Sequence, residues 1–212
     1  MKLIYVGDPM CSWCYGFAAP LDQLLADPQA AAPIEMLIVL GGLRPFTQEP
    51  MSPERADELA GHWRQVADAS GQPFAQAPDT AMHQPGFTYD TEPASRAVVA
   101  VRSHWPEHTW AYFKAVQHAF YTDGRNVTEG VVLADVAEDL GVPRDAFNEA
   151  FESQAMRDAT LRDFERSKGW GVQGFPTLLA EHGDHLHVVG SGFMPIAVLR
   201  QRLAAATTAH AH

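Results

Sequence analysis

The sequence predicts an α/β protein in which a β-α-β segment and a β-β-α segment form one mixed sheet, separated by a large all-helical insertion. Two observations support this fold class. Strand-like apolar runs occur near the two ends of the chain, and the middle shows helical spacing throughout. The chain has 212 residues, and 46% of them are apolar, which is enough for one sizeable core.

The first segment predicts a strand, a helix and a second strand. Residues 2–7 are a short run of aliphatic and aromatic residues, typical of a buried strand, and Asp8-Pro9-Met10 ends it. From Cys11 to about Leu25 the apolar residues recur at helical spacing. Residues 34–40 are almost continuously apolar, which predicts a central strand covered on both faces.

The middle of the chain predicts six helices. Ser52-Pro53-Glu54 offers an N-cap, a proline at the first helical position and an acid in the first turn, so a helix should run to about Ala69. Residues 72–91 are rich in Pro, Gln and Gly and predict a loop. Aromatic residues such as Tyr89 are expected in the core of the insertion. The other five helices are predicted over residues 93–102, 107–121, 129–140, 144–151 and about 153–168.

Strand character returns near the C-terminus. Thr177–Glu181 and His185–Val189 are joined by Gly183-Asp184, which predicts a hairpin. A last helix is predicted from Pro195 to about Ala205, and residues 207–212 are expected to form a flexible tail.

The charge of the chain excludes several partners. Lys and Arg number 15 against 26 Asp and Glu, a formal net charge of −11. This argues against binding to nucleic acid or to an anionic membrane surface, both of which need basic patches. The sequence shows no leader and no apolar run long enough to span a membrane, so we expect a cytoplasmic protein, as a monomer or a homodimer.

The candidate chemistry lies in Cys11-Ser12-Trp13-Cys14, where the first strand meets the first helix. The first helical turn has unpaired N–H groups and the positive end of the helix dipole, which would stabilise a thiolate at Cys11. Cys14 lies one turn further along the same helix face and should be more shielded. We therefore expect Cys11 to exchange with the substrate and Cys14 to resolve the mixed disulfide.

Two other interpretations of the cysteine pair are open. A C-x-x-C pair can be half of a zinc site, but zinc usually takes four ligands and there is no second cysteine pair. His185 and His187 would share a strand face, without zinc-finger spacing after Cys14. The cysteines could also be inert and buried. Their position between a strand and a helix favours redox chemistry, and no metal or bound cofactor is predicted.

Two motifs together carry a resemblance to a known family. Cys11-Ser12-Trp13-Cys14 after the first strand, and Gly171-Val172-Gln173-Gly174-Phe175-Pro176-Thr177 before the third, resemble the DsbA-like thioredoxin-fold oxidoreductases. The resemblance covers essentially the whole chain and includes the helical insertion. It is strongest to a cytoplasmic branch of protein-disulfide isomerases related to the FrnE-like proteins, for which Gly41-Gly42-Leu43-Arg44-Pro45 and Tyr89-Asp90-Thr91-Glu92-Pro93 are typical.

The resemblance implies a domain organisation and a loop geometry. Residues 1–45 and 170–206 would form the thioredoxin-like domain, and residues 46–169 the helical insertion. The Phe175–Pro176 peptide bond would be cis, and its loop would lie beside Cys11, where an extended substrate can pair with the backbone.

The resemblance also implies an activity, the exchange of disulfides with protein or small-molecule thiols, with glutathione as a candidate co-substrate. The residues expected to contact the substrate are Trp13, Phe175, Pro176 and Thr177. Ser12-Trp13 between the cysteines carries no charged group, so the direction of the redox reaction is open.

Two rival functions remain. Kappa-class glutathione transferases and hydroxychromene carboxylate isomerases resemble this chain in the insertion and the proline loop, but they use a serine at the first cysteine position. The two cysteines here argue against that alternative. A non-catalytic binding or chaperone module on the same fold is the third hypothesis.

Three polar residues are candidates to support the site. Asp8, three residues before Cys11, could accept a proton during exchange or cap the first helix, and the cap is favoured. Arg44 follows the second strand and could bind a substrate carboxylate or form a surface salt bridge. Ser12 lies between the cysteines.

Overall fold

The two ends of the chain form one sheet, as the sequence predicts. The computed structural model describes residues 2–27, 34–183 and 185–208. Strand β1 pairs in parallel with β2 and antiparallel with β3, and β3 pairs antiparallel with β4, giving the order β2-β1-β3-β4. The strands are β1 (Lys2–Gly7), β2 (Glu35–Leu40), β3 (Thr177–His182) and β4 (His185–Ser191).

The helices follow the predicted order. Two of those in the described residues lie near the ends of the chain and six in the middle. Two short 3₁₀ helices, Ala81–His83 and Pro106–His108, lie between them. The α-helices of the described residues are α1 (Ser12–Leu25), α2 (Pro53–Ser70), α3 (Glu92–His104), α4 (Thr109–Tyr121), α5 (Gly130–Asp139), α6 (Arg144–Glu152), α7 (Gln154–Gly169) and α8 (Ile196–Thr208).

The capping residues predict the start of α2 correctly, whereas other helix boundaries differ from the predicted ones. The Ser52 hydroxyl oxygen accepts a hydrogen bond from the Arg55 backbone N–H at 3.2 Å, as expected of an N-cap. The helix predicted over residues 107–121 begins instead as a 3₁₀ turn, because Pro106 favours a tight first turn. Helix α8 continues to Thr208, two residues into the predicted tail. Residues 209–212 and Asp184 lie outside the described residues.

Strand β2 is an edge strand, which corrects the prediction of a central one. Its apolar run reflects cover from helices, including α7, which packs against it. Side chains satisfy part of its free edge. The Leu40 backbone N–H donates to Asp163 Oδ2 at 2.9 Å, and the Ile38 carbonyl accepts from Arg102, which also pairs with Asp163. A continuous apolar strand can therefore sit at an edge when buried polar side chains complete its hydrogen bonding.

The sheet is buried on both faces. On one face Tyr5 lies in a large apolar cluster, with its ring edge-on to Trp110 and Phe113 of α4 at centroid distances of 5.8 and 5.6 Å. The other face carries a small cluster of Ile4, Val6, Val39 and Leu179. The large cluster includes residues of both predicted domains, and the division at residues 45 and 170 stays a prediction.

Candidate active site: a dithiol at the start of the first helix

Two cysteines lie where β1 gives way to α1. The chain turns after β1, and the Cys11 backbone N–H donates to the Asp8 carbonyl at 3.0 Å. Cys11 is the extended N-cap residue of α1, and Cys14 lies in its first turn. Both are free thiols. Cys11 is 6% exposed and Cys14 is fully buried, so only the first sulfur lies near the surface.

A proline loop faces the more exposed thiol. The Cys11 thiol donates to the Phe175 carbonyl at 3.6 Å, and the Phe175–Pro176 bond is cis. The Phe175 ring packs against the end of β2 at Gly41. A Cβ atom on Gly41 would lie 2.0 Å from that ring, so a side chain there would displace it. The Thr177 hydroxyl donates to the Gly174 carbonyl at 2.8 Å and stabilises the loop from inside.

Cys14 lies on the buried side of the motif. Burial raises the pKa of its thiol well above the usual value, and the neighbouring Cys11 sulfur raises it further. Interactions with Tyr5 and with the Asp8 backbone oppose this shift of the pKa. Cys14 is thus held as a neutral thiol until the reaction requires its thiolate.

Asp8 does not cap α1, which corrects the favoured prediction. Its carboxylate is fully buried and accepts hydrogen bonds from the Met10 and Leu43 backbone N–H groups at 2.8 and 2.7 Å. The N-cap of α1 is Cys11, and no side chain caps this helix. Burial raises the pKa of Asp8 to about 6 despite these bonds, which oppose the shift. The site therefore contains a buried acid that titrates near neutral pH.

Aromatic side chains surround the mouth of the site. Trp13 is half-buried, and its ring lies 5.7 Å from the His62 ring and 6.0 Å from the Phe193 ring. Ser12 is buried as the first residue of α1. The Arg44 guanidinium lies 5.7 Å from the centre of the Tyr89 ring and forms no ion pair with another described residue. Cation–π packing thus replaces the predicted surface salt bridge.

Sequence reasoning missed two tyrosines near the motif. The Tyr89 hydroxyl donates to the Met10 carbonyl and fixes the turn before Cys11, whereas the sequence predicts only a core role for this residue. In the sequence, Tyr5 is indistinguishable from the apolar residues of the first strand. A signal was available for it, because a tyrosine in a buried strand usually needs a hydrogen-bond partner for its hydroxyl.

The fold and site define a class of protein. A four-stranded mixed sheet, a thiol pair at the start of the first helix and a proline loop against the first thiol are the parts of a DsbA-like thioredoxin fold. The chain belongs to the family described as the DSBA-like thioredoxin domain, whose model matches residues 2–204.

Solved structures of similar proteins agree with this membership. A proposed protein disulfide isomerase from Nitrosomonas europaea is 37% identical, with a TM-score of 0.88 over 99% of this chain and 98% of that one. The cytosolic disulfide reductase DsbM from Pseudomonas aeruginosa is 24% identical, with a TM-score of 0.80 over 100% of both chains. A 2-hydroxychromene-2-carboxylate isomerase is 18% identical, with a TM-score of 0.64 over 99% of this chain and 94% of that one. The comparison with curated proteins gave no match.

Two further features are absent from the described residues. Within residues 2–27, 34–183 and 185–208, no helix combines the length and apolar character needed to cross a bilayer. In the same ranges, no three or more His, Cys, Asp or Glu side chains are grouped so that they could hold a metal ion.

Proposed function

We propose that this protein is a thiol–disulfide oxidoreductase that exchanges disulfides with the thiols of proteins or small molecules through Cys11-Ser12-Trp13-Cys14. One observation carries the proposal. The Cys11 thiol lies at the start of α1 against the Phe175 carbonyl, with the buried Cys14 thiol one helical turn behind it. Nucleophile, substrate platform and resolving group are therefore adjacent.

The two thiols supply the electrons of the reaction. The Cys11 thiolate attacks a substrate disulfide R–S–S–R′, a bond forms between Cys11 and one sulfur, and R′–S⁻ leaves and takes up a proton. Cys14 then loses its proton and attacks the Cys11 sulfur, which releases the second thiol. The protein ends as a Cys11–Cys14 disulfide, and the substrate has gained two electrons and two protons. An external thiol reverses these steps and restores the dithiol.

The surroundings of Cys11 suit an extended substrate. Phe175 can offer its backbone to a peptide lying beside the first cysteine, as in strand addition, while Pro176 and Thr177 hold the loop. Trp13, on the helix side, supplies an aromatic surface for the substrate. Asp8, the buried acid, accepts a proton during exchange.

Glutathione is the small thiol we propose as co-substrate. The DsbM protein of Pseudomonas aeruginosa has been solved with glutathione, and it is described as cytosolic. We place the same exchange in the cytoplasm for this protein, where thiols stay reduced and a reactive pair is maintained by the glutathione pool.

Turnover of a disulfide substrate by the purified protein tests the proposal. With glutathione as reductant and a disulfide-bonded peptide as substrate, the wild type should accelerate reduction. Cys11→Ser should lower the rate to that of the uncatalysed reaction, because a hydroxyl cannot replace the thiolate. In a separate reaction of the reduced protein with the disulfide and without glutathione, Cys14→Ser should stop after one exchange and accumulate a mixed disulfide at Cys11, seen by mass spectrometry.

A parallel assay separates the rival function. Glutathione and an electrophile, supplied without any disulfide, should give no conjugate or isomer above background. Full disulfide turnover by Cys11→Ser would refute the proposal, and a conjugate formed by the wild type would favour the transferase alternative.

A further inference from the structure

The loop that follows β2 exposes two large apolar side chains. It comprises residues 41–47, and within it Phe46 is 56% exposed and Leu43 is 39% exposed. Single exposed apolar residues are common on protein surfaces, whereas a concentration of them usually marks a contact surface. The other exposed large apolar residues of the described chain lie one each on α5, α7, β4 and α8: Val131, Leu161, Val188 and Val198.

Phe46 also has an unfavourable backbone conformation. Its φ is 64°, and it is the one residue other than glycine with a positive φ among the described residues. Pro45 and Phe46 are the central residues of a turn, and a positive φ at the second of these positions normally selects glycine or asparagine. A bulky side chain in this region of backbone space lowers stability. The stability of the loop therefore does not explain why a phenylalanine is present.

Hydrogen bonds from the segment before α3 hold the loop in this conformation. The Phe46 backbone N–H donates to Asp90 Oδ1 at 2.8 Å. The Arg44 backbone N–H donates to the Thr91 hydroxyl oxygen at 3.1 Å, and the Thr91 backbone N–H donates to the Arg44 carbonyl at 3.2 Å. The Phe46 ring is thus presented to solvent from a fixed backbone, which lowers the entropic cost of a contact with a ligand. A strained residue that its surroundings hold in place points to a functional role.

The loop adjoins the dithiol. The Leu43 backbone N–H donates at 2.7 Å to the carboxylate of Asp8, which lies three residues before the first cysteine. At the start of the loop, Gly41 packs against the ring of Phe175, whose carbonyl faces the first thiol. A polypeptide paired with the Phe175 backbone would therefore continue alongside the loop that carries Phe46.

We propose that Phe46 is a specificity-determining residue, which favours polypeptide disulfides that carry an apolar side chain two positions from the reactive cysteine. The inference rests on the proposed function and narrows its substrate class. Alternate side chains of an extended chain point to the same side, so a residue two positions from the substrate cysteine faces the protein together with it. Glutathione has no apolar side chain and does not use this contact.

The rate of the first exchange with chromogenic disulfides tests the contact. Each substrate is a mixed disulfide of thionitrobenzoate with Leu-Ser-Cys-Ser-Leu, with Ser-Ser-Cys-Ser-Ser or with glutathione. The Cys11 thiolate attacks the cysteine sulfur of the substrate, a new disulfide joins the two, and the coloured thionitrobenzoate leaves because it is the less basic thiolate. Rates measured with dithiothreitol correct for the intrinsic reactivity of each disulfide.

Replacement of Phe46 should remove a preference without weakening the fold. One methylene group in a closed apolar pocket changes specificity by about 10-fold or more, so at this open surface the wild type should favour the leucine peptide over the serine peptide by about 5- to 20-fold. Phe46→Asn should react about 3- to 10-fold more slowly with the leucine peptide and within about twofold of wild type with the other two substrates. Because asparagine tolerates a positive φ, the midpoint of urea unfolding should stay the same or rise.

Two variants serve as controls. Phe46→Tyr keeps the aromatic ring in the same place and should retain the preference for leucine. Val131→Asn replaces another exposed apolar residue, on α5, which packs against α4 and α6, and it should leave all three rates unchanged.

The outcomes are distinguishable. If the wild type reacts with none of the three disulfides faster than free cysteine does, the proposed function fails. If it reacts but does not favour leucine, the proposed function stands and the role of Phe46 is refuted. The role is also refuted if Phe46→Asn retains the preference, or if it slows all three substrates equally, because the loop would then act only by supporting the dithiol.

Discussion

The two sulfur atoms of the site are three residues apart and have opposite surroundings. We call Cys11, Trp13 and Phe175 the mouth, and Tyr5, Asp8 and Cys14 the floor. At the mouth the thiol is slightly exposed and faces a backbone carbonyl. On the floor the thiol is fully buried, and burial raises its pKa well above the usual value. In the proposed exchange, capture of a substrate and its release would therefore depend on separate sets of residues.

The largest expected difference between mouth and floor is in alkylation. Iodoacetamide should label Cys11 of the reduced protein roughly 1,000-fold faster than Cys14, because the Cys14 thiol becomes accessible to the reagent only when the fold opens locally. Burial also keeps Cys14 in the unreactive thiol form. Peptide mass spectrometry after timed quenching measures the ratio. Labelling of the urea-denatured protein, where the two rates should converge, is the control. Comparable rates for Cys11 and Cys14 in the folded protein would show that mouth and floor are equally accessible.

The second prediction concerns Asp8, the buried acid of the floor, and the dependence of stability on pH. The folded pKa of Asp8 is about 6, against an ordinary value of 3.8, so its protonated form is favoured by folding. Its contribution to the free energy of unfolding is therefore fully present below about pH 4 and is lost as the pH rises through about 6, a loss on the order of 3 kcal/mol. In Asp8→Asn this decline should disappear.

Urea unfolding across this pH range measures the decline. Asp68→Asn, an exposed position on α2, serves as the control and should keep the wild-type dependence on pH. An unchanged decline in Asp8→Asn would show that another group causes it.

The smallest expected effect concerns the packing behind the mouth. Gly41→Ala would place a Cβ atom 2.0 Å from the Phe175 ring, which must move. We expect a loss of about 1–3 kcal/mol in the free energy of unfolding and a higher KM for a peptide disulfide, since Phe175 carries the substrate platform. Gly61→Ala is the matched control, because the nearest atom there, of Arg64, lies 3.5 Å away. If the two variants have the same KM, Phe175 does not contribute to substrate binding.

Periodicity and cap residues were sufficient to predict most of the fold. Lys2–Gly7 is a strand and Ser52 caps α2, because a run of aliphatic and aromatic residues and a capping side chain are both local properties of the chain. The edge position of β2 was not predictable in this way. The apolar run of β2 signals that both faces are covered, but the partners of its free edge, Arg102 and Asp163, lie more than sixty residues away.

Only the part of the site that depends on local sequence signals was predicted. Cys11 and Cys14 are visible because their spacing and position are local. The role of Asp8 as a buried acid depends on Leu43, brought in by the end of β2, and no local pattern distinguishes it from a helix cap. Tyr5 was missed because its neighbours in the sequence are apolar, and its ring contacts with Trp110 and Phe113 form only once β1 and α4 are packed.

The contact of the Tyr5 ring with Trp110 and Phe113 has a consequence for cooperativity. The strand that delivers the cysteines rests directly on α4, which belongs to the middle of the chain. Excising the helical segment would therefore leave a large apolar face of the sheet in water, and the remainder could not fold by itself. The chain should therefore unfold as one cooperative unit.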